Sequence, residues 1–118
     1  MTLAQRYAAL GIIALTALQF MWHGWLLPAS RGNPWLIAAL FATPMMPALL
    51  LLVLARRSAL FWGGVGALLY FSHGIAEVWT TPEARLLAWT EVGLSVWVVV
   101  TVSWAGLRAR FVKRAAKV

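Results

Sequence analysis

The chain has 118 residues, of which 63% are hydrophobic and 11% charged, with a mean hydropathy of +0.82 and a formal net charge of +7. A soluble domain of this length buries roughly two thirds of its surface and covers the rest with polar groups, and ten basic plus three acidic residues cannot do so. Lipid must cover the remainder; the absence of cysteine excludes disulfides, thiolate metal centres and thiol redox chemistry, and basic residues gathered at segment ends argue against nucleic acid.

A spanning helix needs about 20 mostly apolar residues, and the sequence predicts four, over about 7–27, 35–55, 59–79 and 82–107, followed by a basic tail over 108–118. The first opens behind Arg6, and its length, with Gln19 and His23 inside it, fits a retained span better than a cleaved signal peptide. Thr16, Gln19 and His23 fall on one face of it. After Pro28, Asn33 is placed to cap the second span and Pro34 to occupy its first position. Pro44 and Pro47 lie close to the middle of that span; each removes a backbone donor, which predicts a kink.

Arg56-Arg57-Ser58 forms the next turn, with Ser58 as a cap. The third span carries Gly66, Tyr70, His73 and Glu77 on one face, and Gly63, Ala67 and Gly74 form a small-residue face suited to close helix contact. Thr80-Thr81-Pro82-Glu83 reads as a cap, a proline and an acid in the first turn of the fourth span, where Glu91 and Ser95 lie one turn apart. Short connections make neighbouring helices antiparallel. The expected fold is a single all-α integral membrane domain, an antiparallel bundle of four transmembrane helices.

Orientation follows from the basic residues. Arg6, Arg56, Arg57 and the tail residues Arg108, Arg110, Lys113, Arg114 and Lys117 share one side, against Arg31 and Arg85 on the other. The side richer in Lys and Arg is cytoplasmic, which places both termini inside and the lipid-facing basic tail at the inner leaflet of an inner membrane. Each tail cation gains about 1 kcal/mol from anionic lipid there. Trp22, Trp25, Trp35, Trp79 and Trp89 fall near the outer boundary, as an interfacial aromatic belt does.

Ionisable groups inside a span are costly and mark where function is sought. The candidate polar or binding cluster is His23, Tyr70, His73, Glu77, Arg85 and Glu91. His73 lies nine residues before Pro82 and Glu91 nine after it, so both stand about 13 Å below the connecting turn. Arg85 is placed to lean toward Glu77. A His73–Glu91 hydrogen bond that only holds the helices together, worth about 0.6 to 2 kcal/mol, is one reading; ligand binding and proton coupling are others. The His and Glu residues suit zinc and two histidines suit haem, but no ligand motif fixes either, so no metal and no cofactor is assigned. No nucleophile with its base, phosphate loop or dinucleotide fingerprint is present, and no enzyme is expected.

The stretches Arg56-Arg57-Ser58, Ala67-Leu-Leu-Tyr-Phe-Ser-His-Gly-Ile-Ala-Glu-Val-Trp79 and Glu83-Ala-Arg-Leu-Leu-Ala-Trp-Thr-Glu-Val-Gly-Leu-Ser95, with the Pro44-x-x-Pro47 pair, resemble a family of bacterial inner-membrane proteins. That family is known as domain of unknown function 2069. The resemblance covers nearly the whole chain and implies four helices, a bacterial origin, and recurring positions at Tyr70, Glu77, Arg85 and Glu91. It implies no activity, substrate or cofactor. Two functions stay open: a binding, scaffold or complex-accessory protein, or a small proton- or cation-coupled carrier using Glu77 and Glu91. The partners are the lipid bilayer and either another membrane protein or a second copy of the chain.

Overall fold

In the computed structural model, which describes residues 2–26 and 33–117, the chain is already helical from Leu3, ahead of the expected start at Tyr7. The cause is a capping box that the hydropathy pattern does not reveal: the Thr2 hydroxyl accepts from the Gln5 amide at 3.2 Å, and the Gln5 side chain accepts from the Thr2 amide at 2.8 Å. Helix α1 (Leu3–Phe20) then widens into a π-helical turn (Met21–Leu26) carrying Trp22 and His23. The expected end of this span at Leu27, and Arg31 beyond it, lie outside the described residues.

Asn33 caps α2 (Pro34–Ala42) by accepting from the Trp35 amide at 3.0 Å, with Pro34 in the first turn. A 3-10 turn (Thr43–Met45) separates α2 from α3 (Met46–Val53), so the second span is two half-helices. Both proline-vacated carbonyls find replacement donors. The Leu40 carbonyl, which Pro44 cannot reach, accepts from the Thr43 amide, and the Thr43 carbonyl, which Pro47 cannot reach, accepts from the Met46 amide. The kink expected from the sequence is therefore a hydrogen-bonded break.

At the end of α3 the Arg56 amide donates to the Leu51 carbonyl at 2.9 Å and the Ala55 amide to the Leu52 carbonyl at 3.0 Å. This is a Schellman ending, which favours glycine at its left-handed position. Ala55 occupies that position with φ of 55°. Ala55→Gly is expected to stabilise the protein by roughly 1 kcal/mol, read as a higher unfolding midpoint in detergent.

Helix α4 (Ala59–Thr80) follows, and a 3-10 turn (Pro82–Ala84) leads into α5 (Arg85–Lys117). Ser58 stands at the start of α4 but makes no side-chain cap, because its own backbone is already helical at φ −65°, ψ −11°. Thr81 makes no side-chain cap either. Helix α5 does not stop at Leu107 but continues through the basic tail: no proline follows, and Arg, Lys and Ala are strong helix formers. Its 33 residues extend about 50 Å, well beyond a hydrocarbon core of about 30 Å.

Among the described residues, four helices are long and apolar enough to cross a membrane: Leu3–Trp25, Pro34–Val53, Ala59–Thr80 and Pro82–Ala115. All four contribute to one buried cluster of Ile12, Leu15, Met45, Ala48, Ala67, Tyr70 and Val98. Helix α5 packs along both α1 and α4, and α4 also packs on α3. A second cluster joins Trp22 to Ala84 and Ala88 where the end of α1 meets the start of α5. Trp25, Trp35, Trp79 and Trp89 are exposed, but Trp22 is only 3% exposed and is no part of an aromatic belt. The π-helical turn carries it inward, onto two alanines small enough to receive an indole.

Candidate functional site

The site is built around Glu91 on α5, whose side chain is 0% exposed. Both carboxylate oxygens are bonded from other helices: Gln19 Nε2 of α1 donates to Oε2 at 2.6 Å, and His73 Nδ1 of α4 shares a hydrogen with Oε1 at 2.7 Å. Ser95, one turn further along α5, donates to the Glu91 carbonyl at 2.7 Å. A buried carboxyl is costly unless hydrogen-bonded, and here its partners join three spans at one point.

Gly74 makes the approach of α4 to α5 close enough for this. A Cβ added there would stand 2.8 Å from Val92 Cγ2, 3.1 Å from the Ala88 carbonyl oxygen and 3.3 Å from Glu91 Oε1. The missing side chain is thus a condition of the His73–Glu91 contact.

The second nitrogen of His73, Nε2, lies 3.7 Å from Glu77 Oε1, so the imidazole stands between two acids. Exposure falls along the series: 28% for the Glu77 side chain, 23% for His73 and 0% for Glu91. Arg85 does not join it. Its Nε donates to the Val78 carbonyl at 3.2 Å, and among the described residues it forms no ion pair with Glu77. The last four carbonyls of a helix lack intrahelical donors, and Val78 offers one of these just across the turn.

The His23 ring is sandwiched between Trp22, with centroids 4.9 Å apart and planes 10° apart, and Phe41, at 3.9 Å and 14°. Its centroid lies 5.9 Å from that of His73 with no hydrogen bond between the two rings. Among the described residues no three His, Asp or Glu side chains are grouped to hold a metal ion. The Tyr70 hydroxyl donates to the Phe41 carbonyl at 2.8 Å, in the last turn before Pro44, and so supports the broken span from α4. The structure therefore brings His73, Glu77 and Glu91 together, sets His23 against them through its ring face, and engages Tyr70 and Arg85 elsewhere.

Gln19 is the partner absent from the sequence-derived cluster. Its signal was a lone amide in an apolar helix, one turn before His23 on the same face. Two atoms of this region, Gln19 Oε1 and His23 Nε2, are buried without a hydrogen-bond partner among the described residues. An unsatisfied buried polar atom costs about 1 to 3 kcal/mol. Beside the cluster, a groove of about 360 Å³ between α2 and α4 is lined by Leu40, Phe41, Pro44, Leu69, Tyr70 and His73. Its walls are apolar except at the histidine and the tyrosine.

Four helices of spanning length, three of them joined at a buried carboxyl, define a polytopic membrane protein with a polar site in its interior. The chain belongs to the family described as "Predicted membrane protein (DUF2069)", which it matches over residues 7–110. No curated protein and no solved structure matches it.

Proposed function

We propose that this is a protein of the bacterial inner membrane, an antiparallel four-helix bundle with both termini cytoplasmic, that acts as a binding or complex-accessory protein. The orientation rests on the excess of Arg and Lys at Arg6, Arg56, Arg57 and along the tail of α5. It puts the cluster of Gln19, His73, Glu77 and Glu91 in the periplasmic half. The binding reading rests on one observation: the groove of Leu40, Phe41, Pro44, Leu69, Tyr70 and His73 brings apolar walls up to a partly exposed imidazole. Polar groups placed within an apolar recess are what orient a guest.

Site-specific photocrosslinking in native membranes tests it. A crosslinker at Leu40 or Leu69, in the groove, is expected to capture one reproducible membrane partner, while one at Leu86, on an exposed face of α5, is not. Lipid alone from all three positions removes the binding reading. A carrier reading, in which Glu77 and Glu91 load a proton or cation, has its own observation in favour, the placement of His73 between the two acids.

A further inference from the structure

The buried carboxyl of Glu91 is screened from the protein surface, yet it is connected to that surface through a single side chain. His73 meets Glu91 Oε1 at 2.7 Å through Nδ1 and faces Glu77 Oε1 at 3.7 Å through Nε2. Glu77 and His73 are both partly exposed, whereas Glu91 is enclosed. An imidazole with an acid on each nitrogen can take up a proton on one side and release another on the opposite side without moving its ring. We infer that His73 is a proton relay between Glu77 and Glu91, so that the buried acid is loaded from the membrane face at which Glu77 stands. This goes beyond the binding reading and stands independently of the carrier reading, naming the proton as the species that Glu91 takes up.

The step balances. The protonated Glu77 carboxyl gives its proton to His73 Nε2, the hydrogen on Nδ1 passes to Glu91 Oε1, and Glu77 is left ionised with Glu91 neutral. The imidazole ends as its other neutral tautomer, and the reverse transfer restores it. The remaining groups around His73 do not short-circuit this route. Tyr70 on the same helix gives its hydroxyl hydrogen to the Phe41 carbonyl, Arg85 is turned to the Val78 carbonyl, and Gln19 on α1 holds the other oxygen of Glu91. His23, from the π-helical turn, meets His73 without a hydrogen bond, and Phe41 and Trp22 supply only ring faces. Glu77 Oε1 stands 3.7 Å from Nε2 on a partly exposed side chain, and the transfer takes place when that gap closes to hydrogen-bond distance.

The test uses the full chain in liposomes and infrared difference spectra recorded after a downward pH step, with Glu91→Gln assigning the protonated-carboxyl band. That band is expected to grow promptly in the unaltered protein and at least about tenfold more slowly in His73→Asn and in Glu77→Gln. Asparagine keeps an N–H donor where Nδ1 stands but has no second nitrogen to receive a proton, so it separates relay from support. Equal loading rates in all three proteins, or no Glu91 band at any pH, overturns the relay. Ethidium uptake into the same vesicles separates it from carriage. Loading through His73 without uptake keeps the relay and removes ethidium as its cargo; uptake with loading unchanged in His73→Asn keeps ethidium carriage and removes the relay.

Discussion

Glu91→Leu is expected to lower the stability of the folded protein by roughly 3 to 5 kcal/mol, and Glu91→Gln by only about 1. A polar contact between spans averages about 0.6 kcal/mol and reaches about 1.7, so losing the bonds from Gln19 and His73 accounts for part of the larger figure. The rest comes from donors left behind: Gln19 is buried beside the site, and an unpaired buried donor costs about 1 to 3 kcal/mol. Glutamine avoids this. Its oxygen can accept from Gln19 while its amide donates to His73 Nδ1 in the other imidazole tautomer. With overall stabilities of about 5 to 15 kcal/mol, the leucine variant is expected to accumulate poorly, and denaturant unfolding in micelles or steric trapping in bilayers reads the difference.

A double variant checks the assignment of the energy. Gln19→Leu combined with Glu91→Leu removes both donor and acceptor, so its cost is expected to fall short of the sum of the single costs by about 1 kcal/mol or more. Additive effects would mean that the 2.6 Å contact between the two side chains contributes nothing to stability.

The architecture was legible because lipid imposes a crude rule. An apolar run of sufficient length must be a helix, and the punctuation at Asn33-Pro34, Arg56-Arg57 and Thr81-Pro82 separates the runs. The break at Pro44 and Pro47 was legible for the same reason, since a missing backbone donor has no remedy within a regular helix. The ends were less so. Thr2 and Gln5 extend α1 through a side-chain exchange that hydropathy ignores, and the tail of α5 stays helical because no residue stops it.

Within the site, periodicity placed His73 and Glu77 on one face, and counting from Pro82 put His73 and Glu91 at one level, where they meet at 2.7 Å. What pattern alone does not supply is the direction in which a side chain resolves several nearby options. Arg85, expected from its position in the sequence to lean toward Glu77, donates instead to the carbonyl of Val78. Trp22 has the composition of a belt residue, but the π-helical turn that buries it has no sequence signal of its own. Gln19 was visible on the polar stripe of α1, yet an uncharged amide ranks below the ionisable groups until Glu91 is seen to need a second donor.

The second large effect is expected at Gly74 of α4, with Gly93 of α5 as the control. Gly74→Ala should destabilise by about 1 to 2 kcal/mol and Gly74→Val by more, whereas Gly93→Ala should be neutral or stabilising by up to about 1 kcal/mol. Both glycines are in helices, and both substitutions gain helix propensity. They differ in surroundings: a Cβ at Gly74 meets Val92 Cγ2 at 2.8 Å and the Ala88 carbonyl at 3.1 Å, whereas one at Gly93 meets nothing within 4 Å. Valine at 92 is stiff about χ1 and a backbone carbonyl cannot swing aside, so α4 and α5 must separate. That separation also draws His73 from Glu91, because the new methyl lies 3.3 Å from the same Oε1 that His73 bonds. Gly74→Ala is therefore expected to combine a lower unfolding midpoint with an altered infrared signature of the Glu91 carboxyl, and Gly93→Ala to change neither adversely. Effects of the same sign at both positions would falsify the packing argument and return the difference to intrinsic helix propensity.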